Sequence, residues 1–123
     1  MQDTNDIIAF SRELTWDDLP LKVRDHTKLC LLDLIGVAAG GAKTKLSNIA
    51  CGYAALDMSG TIPMIFDGRE ASVAGVAMAG GMTIDALDGH DGFNPAKGHA
   101  GCGLFPALYG VAQDSKSISG QQF

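Results

Sequence analysis

The sequence predicts an all-α fold, a bundle of five helices in one domain. In most long segments apolar residues recur at helical spacing, and glycine or proline separates the segments. Residues 71–84 carry no charge, which is typical of a helix buried on most sides. Hydrophobic residues make up 46% and charged residues 19% of the 123 residues, so the chain can form a single core.

The first three helices are predicted over residues 6–14, 15–41 and 45–58. Thr15 with Asp18 resembles a capping box, and Pro20 suits the first turn of the second helix. Residues 62–66 form an extended segment that turns at Asp67-Gly68, with no predicted strand partner. The apolar faces expected to be buried contain Ile7, Ile8 and Phe10 in the first helix, and Val23, Thr27, Cys30, Leu34 and Val37 in the second.

The fourth helix is predicted to bring two aspartates into the interior. One face carries Val73, Val76, Ala77, Gly80, Ile84 and Leu87, and an adjacent face carries Ala74, Met78, Gly81, Asp85 and Asp88. We therefore expect Asp85 and Asp88 to continue a buried stripe, where a carboxylate must be paired, hydrogen-bonded or protonated. Gly80 and Gly81 each cost about 1 kcal/mol of helix propensity relative to alanine, so they need a packing or functional reason.

An active-site loop is predicted over residues 85–101. It holds three aspartates and two histidines, directly after the uncharged helix. A desolvated carboxylate is a stronger base near neutral pH, and a nearby imidazole can return the proton, so this composition indicates acid–base chemistry. The last helix is predicted over residues 100–113, regular only from about Phe105 because Pro106 interrupts it.

The start of the last helix suggests an anionic substrate. Lys97, His99 and the backbone amides near Gly98 and Gly101 favour a carboxylate there. The aspartates at 85, 88 and 91 would repel a di- or tricarboxylate, and proton abstraction beside a carboxylate needs strong charge stabilisation. The sequence therefore predicts that further cations come from outside this chain.

Composition excludes several classes of function. The net charge is −5 and lysine and arginine are scattered, so no nucleic-acid partner is expected. Cys30, Cys51 and Cys102 are too dispersed for a disulfide framework, and buried free thiols in a reducing compartment are expected. The apolar run ending at Gly41 is too short to cross a bilayer, and the first ten residues lack the pattern of a signal peptide. The prediction is a soluble, cytoplasmic protein without a membrane partner.

A metal site is considered and not predicted. The possible ligands are Asp85, Asp88, His90, Asp91 and His99. The loop lacks the alternating pattern of an EF-hand and contains no HExxH, and two histidines nine residues apart are a weak zinc signal.

The segment DALDGHDGFNPAKGHAGCGLFPAL resembles the signature of the MmgE/PrpD family, the 2-methylcitrate dehydratase superfamily. That signature is an acidic run ending in Gly-His after a small-residue helix, then a loop, then His-Pro-Gly and a Pro-Ala helix. TWDDLP and DLIGVAAGG upstream resemble family segments too. By position, Asp85 and Asp88 match the first and last aspartates, His90 matches the Gly-His histidine, and His99 matches the histidine before Pro-Gly. Leu87 stands where the family often has an aspartate, and Ala100 where it has proline.

The resemblance implies a helical domain joined to a second α+β domain, often in a homodimer, without metal or organic cofactor. It implies a lyase or isomerase acting on a small polycarboxylate, such as 2-methylcitrate dehydration, cis-aconitate decarboxylation or iminodisuccinate epimerisation. Asp85 is then the base or proton shuttle, and His99 the acid or carboxylate-orienting group. The substrate-binding candidates are Asp88, His90, Lys97, Gly98 and Gly101.

Family members are several times longer, so we expect residues 1–123 to be one incomplete helical domain, inactive by itself and completed by a missing C-terminal portion or by homodimerisation. Two alternatives stay open at this point. One is a non-enzymatic helical module for dimerisation or interaction, and the other is a truncated remnant without function.

Overall fold

The computed structural model describes residues 4–119 and confirms a mostly helical fold. Five α-helices and one short hairpin lie in this range. The helices are α1 (Thr4–Glu13), α2 (Leu21–Gly41), α3 (Lys45–Asp57), α4 (Val73–Asp85) and α5 (Ala100–Ser115), and the strands are β1 (Ile62–Pro63) and β2 (Glu70–Ala71). The predicted helices are all present, but α2 begins at Leu21 instead of Thr15, and α4 ends at Asp85 instead of continuing through Asp88.

Helix α4 lies at the centre of the bundle and packs against α5, α3 and α2. Ser72 caps its N-terminus: the side-chain oxygen accepts a hydrogen bond from the Gly75 N–H at 3.2 Å. Burying this helix removes no charge from water, because residues 71–84 carry none. Its fully buried residues are Gly75, Val76, Ala79, Gly80, Thr83 and Ile84.

Two apolar clusters form the core on either side of α4. One joins α3 and the hairpin to the start of α4, and the other joins the C-terminal half of α2 to the end of α4. The first cluster contains Cys51, Ala54, Ile62, Met64, Ala71, Val76 and Ala79, and the second contains Leu34, Ala38, Ile65 and Ile84.

Helix α5 runs without interruption through Pro106, so the expectation that it becomes regular only near Phe105 was wrong. Pro106 is buried against Gly80, where a Cβ atom added to the glycine would lie 2.5 Å from the proline Cβ. The contact gives Gly80 a packing reason, since any side chain there would hold the two helices apart.

The predicted capping box forms, but it caps a separate turn. The Asp18 carboxylate accepts hydrogen bonds from the Thr15 N–H at 2.9 Å and from the Thr15 hydroxyl at 2.6 Å. These bonds hold a single 3₁₀ turn, Trp16–Asp18, and α2 starts afresh after Pro20. The hydrogen bond from the Thr15 hydroxyl, and after it the one from the Thr15 N–H, lowers the pKa of the Asp18 carboxyl.

The extended segment does have a partner, contrary to the prediction. Ile62 pairs with Ala71 and Pro63 with Glu70 in an antiparallel hairpin. Asp67 and Arg69 close it, with the Arg69 Nη2 donating to Asp67 at 2.7 Å and to the Asn48 side chain of α3 at 3.1 Å. The turn residues therefore also fasten the hairpin to α3.

Several apolar side chains expected in the interior lie at the surface. Ile7, Ile8 and Phe10 of α1 are exposed, and only the C-terminal half of the predicted α2 face is covered: Leu34 is buried and Val37 half-buried, whereas Val23, Thr27 and Cys30 are exposed. Among the described helices, α2, α3, α4 and α5 pack closely against other elements and α1 does not, so the apolar side chains of α1 stay uncovered. Of the helices in this range, none is both long and apolar enough to cross a membrane.

Candidate functional site

Asp85 is the last residue of α4, and its side chain is partly exposed to solvent. Its side chain is 55% exposed, and that of Asp88 is 83% exposed. The expectation that both carboxylates continue a buried stripe was therefore wrong. The physical reason is that α4 ends at Asp85, so the helical spacing that would have turned Asp88 inward does not continue.

His90 is the buried polar residue of the loop. Its side chain is 0% exposed, and the Nε2 atom lies 3.6 Å from Asp85 Oδ1. This distance is longer than a hydrogen bond, and neither ring nitrogen has a hydrogen-bond partner among the described residues. A buried nitrogen without a partner costs about 1–3 kcal/mol, so the ring is held here at a cost to stability.

His99 lies against His90 and connects it to the second aspartate. The two ring centroids are 4.8 Å apart, and His99 Nδ1 lies 3.1 Å from the His90 carbonyl oxygen. The Nε2 atom of His99 is 3.9 Å from Asp88 Oδ1. Asp85, His90, His99 and Asp88 thus follow one another in space, with His90 buried and the other three at least partly exposed, and we call them the Asp–His row.

His99 is the residue of the row that also lines a small pocket formed by the loop itself. This pocket has a volume of about 360 Å³ and is lined by residues 91–94 and 97–99. Lys97 is at its edge, with Nζ 3.4 Å from the Asn94 side-chain oxygen. Asp88, Asp91 and Lys97 have φ angles of 46°, 46° and 54°, in the left-handed region that costs non-glycine residues about 1 kcal/mol or more. Tertiary packing holds this loop in a strained shape.

Asp91 occupies the start of α5, where a substrate carboxylate was expected. Its Oδ2 atom accepts a hydrogen bond from the Cys102 N–H at 3.2 Å. A Cβ atom at Gly101 would lie 2.7 Å from that oxygen, so the glycine makes room for the carboxylate. The chain itself therefore supplies the anion that this helix start favours.

Cys102 is the member of the site that the sequence did not single out. Its thiol donates to the His99 carbonyl oxygen at 3.2 Å. Burial raises the pKa of the Cys102 thiol, and the negative charges of Asp85 and Asp91 raise it further. The sequence signal was its place three residues after His99, one turn into α5, which brings its sulfur back towards the loop. Of the three thiols expected to be buried, only Cys51 is; Cys30 is exposed and Cys102 half-buried.

The structure brings most of the predicted site residues together but pairs them differently. Asp85 lies beside His90, and Asp88 beside His99. Lys97 and Gly98 line the small pocket with His99, and Gly101 faces Asp91. A row of two carboxylates and two imidazoles, of which His99 lines a pocket, is suited to moving a proton on a bound molecule.

Comparison with known proteins identifies one family. The model of the MmgE/PrpD N-terminal domain matches residues 5–123. No curated protein and no solved structure matches the chain.

Proposed function

Since the chain belongs to the MmgE/PrpD family through its N-terminal domain, we propose that the Asp–His row is part of a lyase or isomerase site for a small polycarboxylate. The observation that carries the proposal is the series of neighbouring side chains Asp85, His90, His99 and Asp88, of which His99 lines the loop pocket. Dehydration of a 2-methylcitrate-like substrate is the first choice. Decarboxylation of a cis-aconitate-like substrate and epimerisation of an iminodisuccinate-like substrate are the alternatives, because they too act on small polycarboxylates.

In the proposed dehydration, Asp85 takes a proton from the carbon next to a substrate carboxylate. The electron pair of that C–H bond forms a carbon–carbon double bond, and the hydroxyl group on the neighbouring carbon leaves as water. His99, which is 44% exposed, is placed to donate the proton that the leaving hydroxyl needs. His90 lies between the two groups and positions them, since its buried ring contacts both.

We propose that the 123-residue chain by itself is inactive or nearly so. The row contains the carboxylates of Asp85 and Asp88, and the loop pocket is lined by the carboxylate of Asp91 and by one lysine, Lys97. A substrate with two or three carboxylates is repelled by such a site, and its carbanion intermediate is more highly charged still. Additional cations from a second polypeptide, either another copy or a further portion of a family enzyme, would offset this charge.

The test combines turnover with binding. Purified chain is incubated with 2-methylcitrate, cis-aconitate and iminodisuccinate, and products are followed by proton NMR. We expect no product, together with shifts in the imidazole signals of His99 and the amide signals of residues 91–99 during a 2-methylcitrate titration. Lys97→Gln should remove these shifts, whereas Lys45→Gln, an exposed lysine at the start of α3, should leave them.

Turnover at the rate of a typical enzyme would contradict the proposed inactivity, and Asp85→Asn would then show whether Asp85 is the base. A polycarboxylate that shifts no signal in the loop would contradict the proposed substrate class.

A non-enzymatic interaction module is the second candidate function, and one observation favours it. An apolar groove of about 600 Å³ lies between α2 and α5. Leu104 and Leu108 line it, and they are 60% and 46% exposed. Exposed apolar surface of this kind is typical of protein interfaces. If the groove mediates self-association, Leu108→Lys should lower the mass of the assembly measured by sedimentation. Leu56→Lys on α3 is the control and should leave that mass unchanged. A monomeric wild-type chain would exclude self-association.

A further inference from the structure

Three different metal-binding side chains meet at one end of the Asp–His row. The carboxylate of Asp85, the imidazole of His90 and the thiol of Cys102 each offer a ligand atom, and these atoms all lie within 4.8 Å of one another. They come from the end of α4, the loop and the first turn of α5. Carboxylate oxygen, imidazole nitrogen and thiolate sulfur are all common zinc ligands.

The spacing is close to that of a tetrahedral site. Zinc bonds of about 2.0–2.3 Å place neighbouring ligand atoms about 3.3–3.6 Å apart. The 3.6 Å between Asp85 Oδ1 and His90 Nε2 already has this length. The sulfur of Cys102 needs to approach by about 1.5 Å at most, which a change of side-chain rotamer in a half-buried residue can supply.

The state of His90 is a second and independent observation. Its side chain is completely buried, and both ring nitrogens are without a hydrogen-bond partner within the described part of the chain. Buried histidines normally use at least one nitrogen. The Asp85 oxygen is the polar atom in front of Nε2, yet it is too far away for a hydrogen bond. A cation between these two atoms would satisfy both.

We propose that Asp85, His90 and Cys102 bind a divalent transition-metal ion, and that zinc is the ion they fit best. A carboxylate, a thiolate and a neutral imidazole balance the two positive charges of the ion. Three protein ligands leave a fourth tetrahedral position for solvent or an anionic molecule. The metal site goes beyond the proposed lyase or isomerase function. The two uses of Asp85 exclude each other at any one moment, because a carboxylate that holds the ion cannot also take a substrate proton.

Neighbouring contacts hold the ligands in the way that supporting residues do in metal sites. The Asp91 carboxylate accepts a hydrogen bond from the Cys102 N–H and so fixes the first turn of α5. His99 packs on the His90 ring, and its Nδ1 lies 3.1 Å from the His90 carbonyl oxygen. The carboxylates of Asp85 and Asp91 also place negative charge beside the sulfur, which attracts a cation.

The test uses Co²⁺ as a spectroscopic substitute for zinc. Metal-free full-length chain is titrated with Co²⁺, and the visible absorption bands of four-coordinate cobalt and the sulfur-to-cobalt charge-transfer band in the near ultraviolet are recorded. We expect saturation at one equivalent and loss of the spectrum when Zn²⁺ displaces the cobalt. Cys102→Ser should remove the charge-transfer band and weaken binding by about tenfold or more.

Asp85→Asn is the second variant, chosen because Asp85 is exposed and its replacement does not disturb the core. It should weaken cobalt binding by about tenfold while keeping the charge-transfer band. The matched controls are Cys30→Ser, which removes an exposed thiol, and Asp88→Asn, which removes the other carboxylate of the row. Both should leave stoichiometry, affinity and spectrum unchanged.

The proposal is overturned if the wild-type chain binds no Co²⁺ or Zn²⁺ at one equivalent. It is also overturned if Cys102→Ser keeps the charge-transfer band, or if Asp85→Asn binds as tightly as the wild type. Because the readout is absorption and not turnover, the result is distinguishable from failure of the proposed polycarboxylate chemistry.

Discussion

The Nε2 atom of His90 lies 3.6 Å from the Asp85 carboxylate, with the imidazole completely buried and the carboxylate more than half exposed. This relationship is unusual because the buried partner makes no hydrogen bond within residues 4–119, whereas the exposed partner can be satisfied by water. It indicates a position maintained for binding or chemistry at a cost in stability.

His90→Leu is expected to stabilise the metal-free chain. The substitution removes two unsatisfied buried nitrogens and keeps an apolar side chain of similar size, so the free energy of unfolding should rise by about 1 kcal/mol. Urea denaturation in the presence of a chelator measures the change. His99→Leu, in a half-exposed ring, is the control and should change stability by less than about 0.5 kcal/mol. A large loss of stability in His90→Leu would show that the ring makes a polar interaction.

Gly80→Ala is expected to destabilise the contact between α4 and α5. The added methyl group would lie 2.5 Å from the Pro106 Cβ, so the helices must separate, at a cost of about 1–3 kcal/mol in spite of the better helix propensity of alanine. The thermal midpoint should fall accordingly. Gly36→Ala in α2 is the matched control, since nothing lies within 4 Å of its added Cβ. That variant should gain up to about 1 kcal/mol. Equal effects of the two substitutions would contradict the close helix contact.

Ser47 and Thr83 form a buried hydrogen bond between α3 and α4, with 2.6 Å between their oxygen atoms. Ser47→Ala should cost about 1–3 kcal/mol, because it leaves the Thr83 hydroxyl buried without this partner. The double variant Ser47→Ala/Thr83→Val should cost less than the sum of the two single changes. Chemical denaturation of all four proteins measures the coupling. Additive losses of stability would mean that the two hydroxyls act independently. Ser59→Ala, at an exposed position, is the control for removing a serine hydroxyl.

The Asp67–Arg69 pair predicts acid sensitivity of the hairpin. The hydrogen bond from the Arg69 side chain holds the pKa of Asp67 below the usual 3.8. Because the folded-state pKa is the lower one, the pair stabilises the fold above the unfolded-state pKa, and this contribution is lost as pH falls through the folded-state value. Asp67→Asn should therefore cost about 1 kcal/mol at pH 7 and progressively less in acid.

Stability curves measured from pH 7 down to about pH 2 would show this convergence between Asp67→Asn and the wild type. Glu70→Gln is the control, because it removes an exposed carboxylate of the same hairpin. This variant should lose stability in acid in the same way as the wild type. A constant difference between Asp67→Asn and the wild type at every pH would rule out the ion pair as the cause.

Local patterns in the sequence were enough to predict the helices. The spacing of small and apolar residues predicted α4, and Thr44 and Ser72 begin α3 and α4 by accepting backbone N–H groups, as helix-capping residues do. The family was also predicted from the motif containing Asp85, His90 and His99, and the match over residues 5–123 confirms it. Helix spacing, caps and sequence motifs each involve residues close together along the chain, so they can be recognised from the sequence alone.

The tertiary structure decided which side chains are buried and which groups meet. The helical spacing that placed Asp85 and Asp88 on one stripe gave no sign that α4 ends at Asp85, which leaves both carboxylates exposed. The burial of His90, the close approach of Gly80 to Pro106 and the position of Cys102 beside Asp85 all depend on packing between separate elements. Burial and ligand geometry arise from contacts between residues distant along the chain, whereas periodicity and capping are local, and this is the physical reason for the difference.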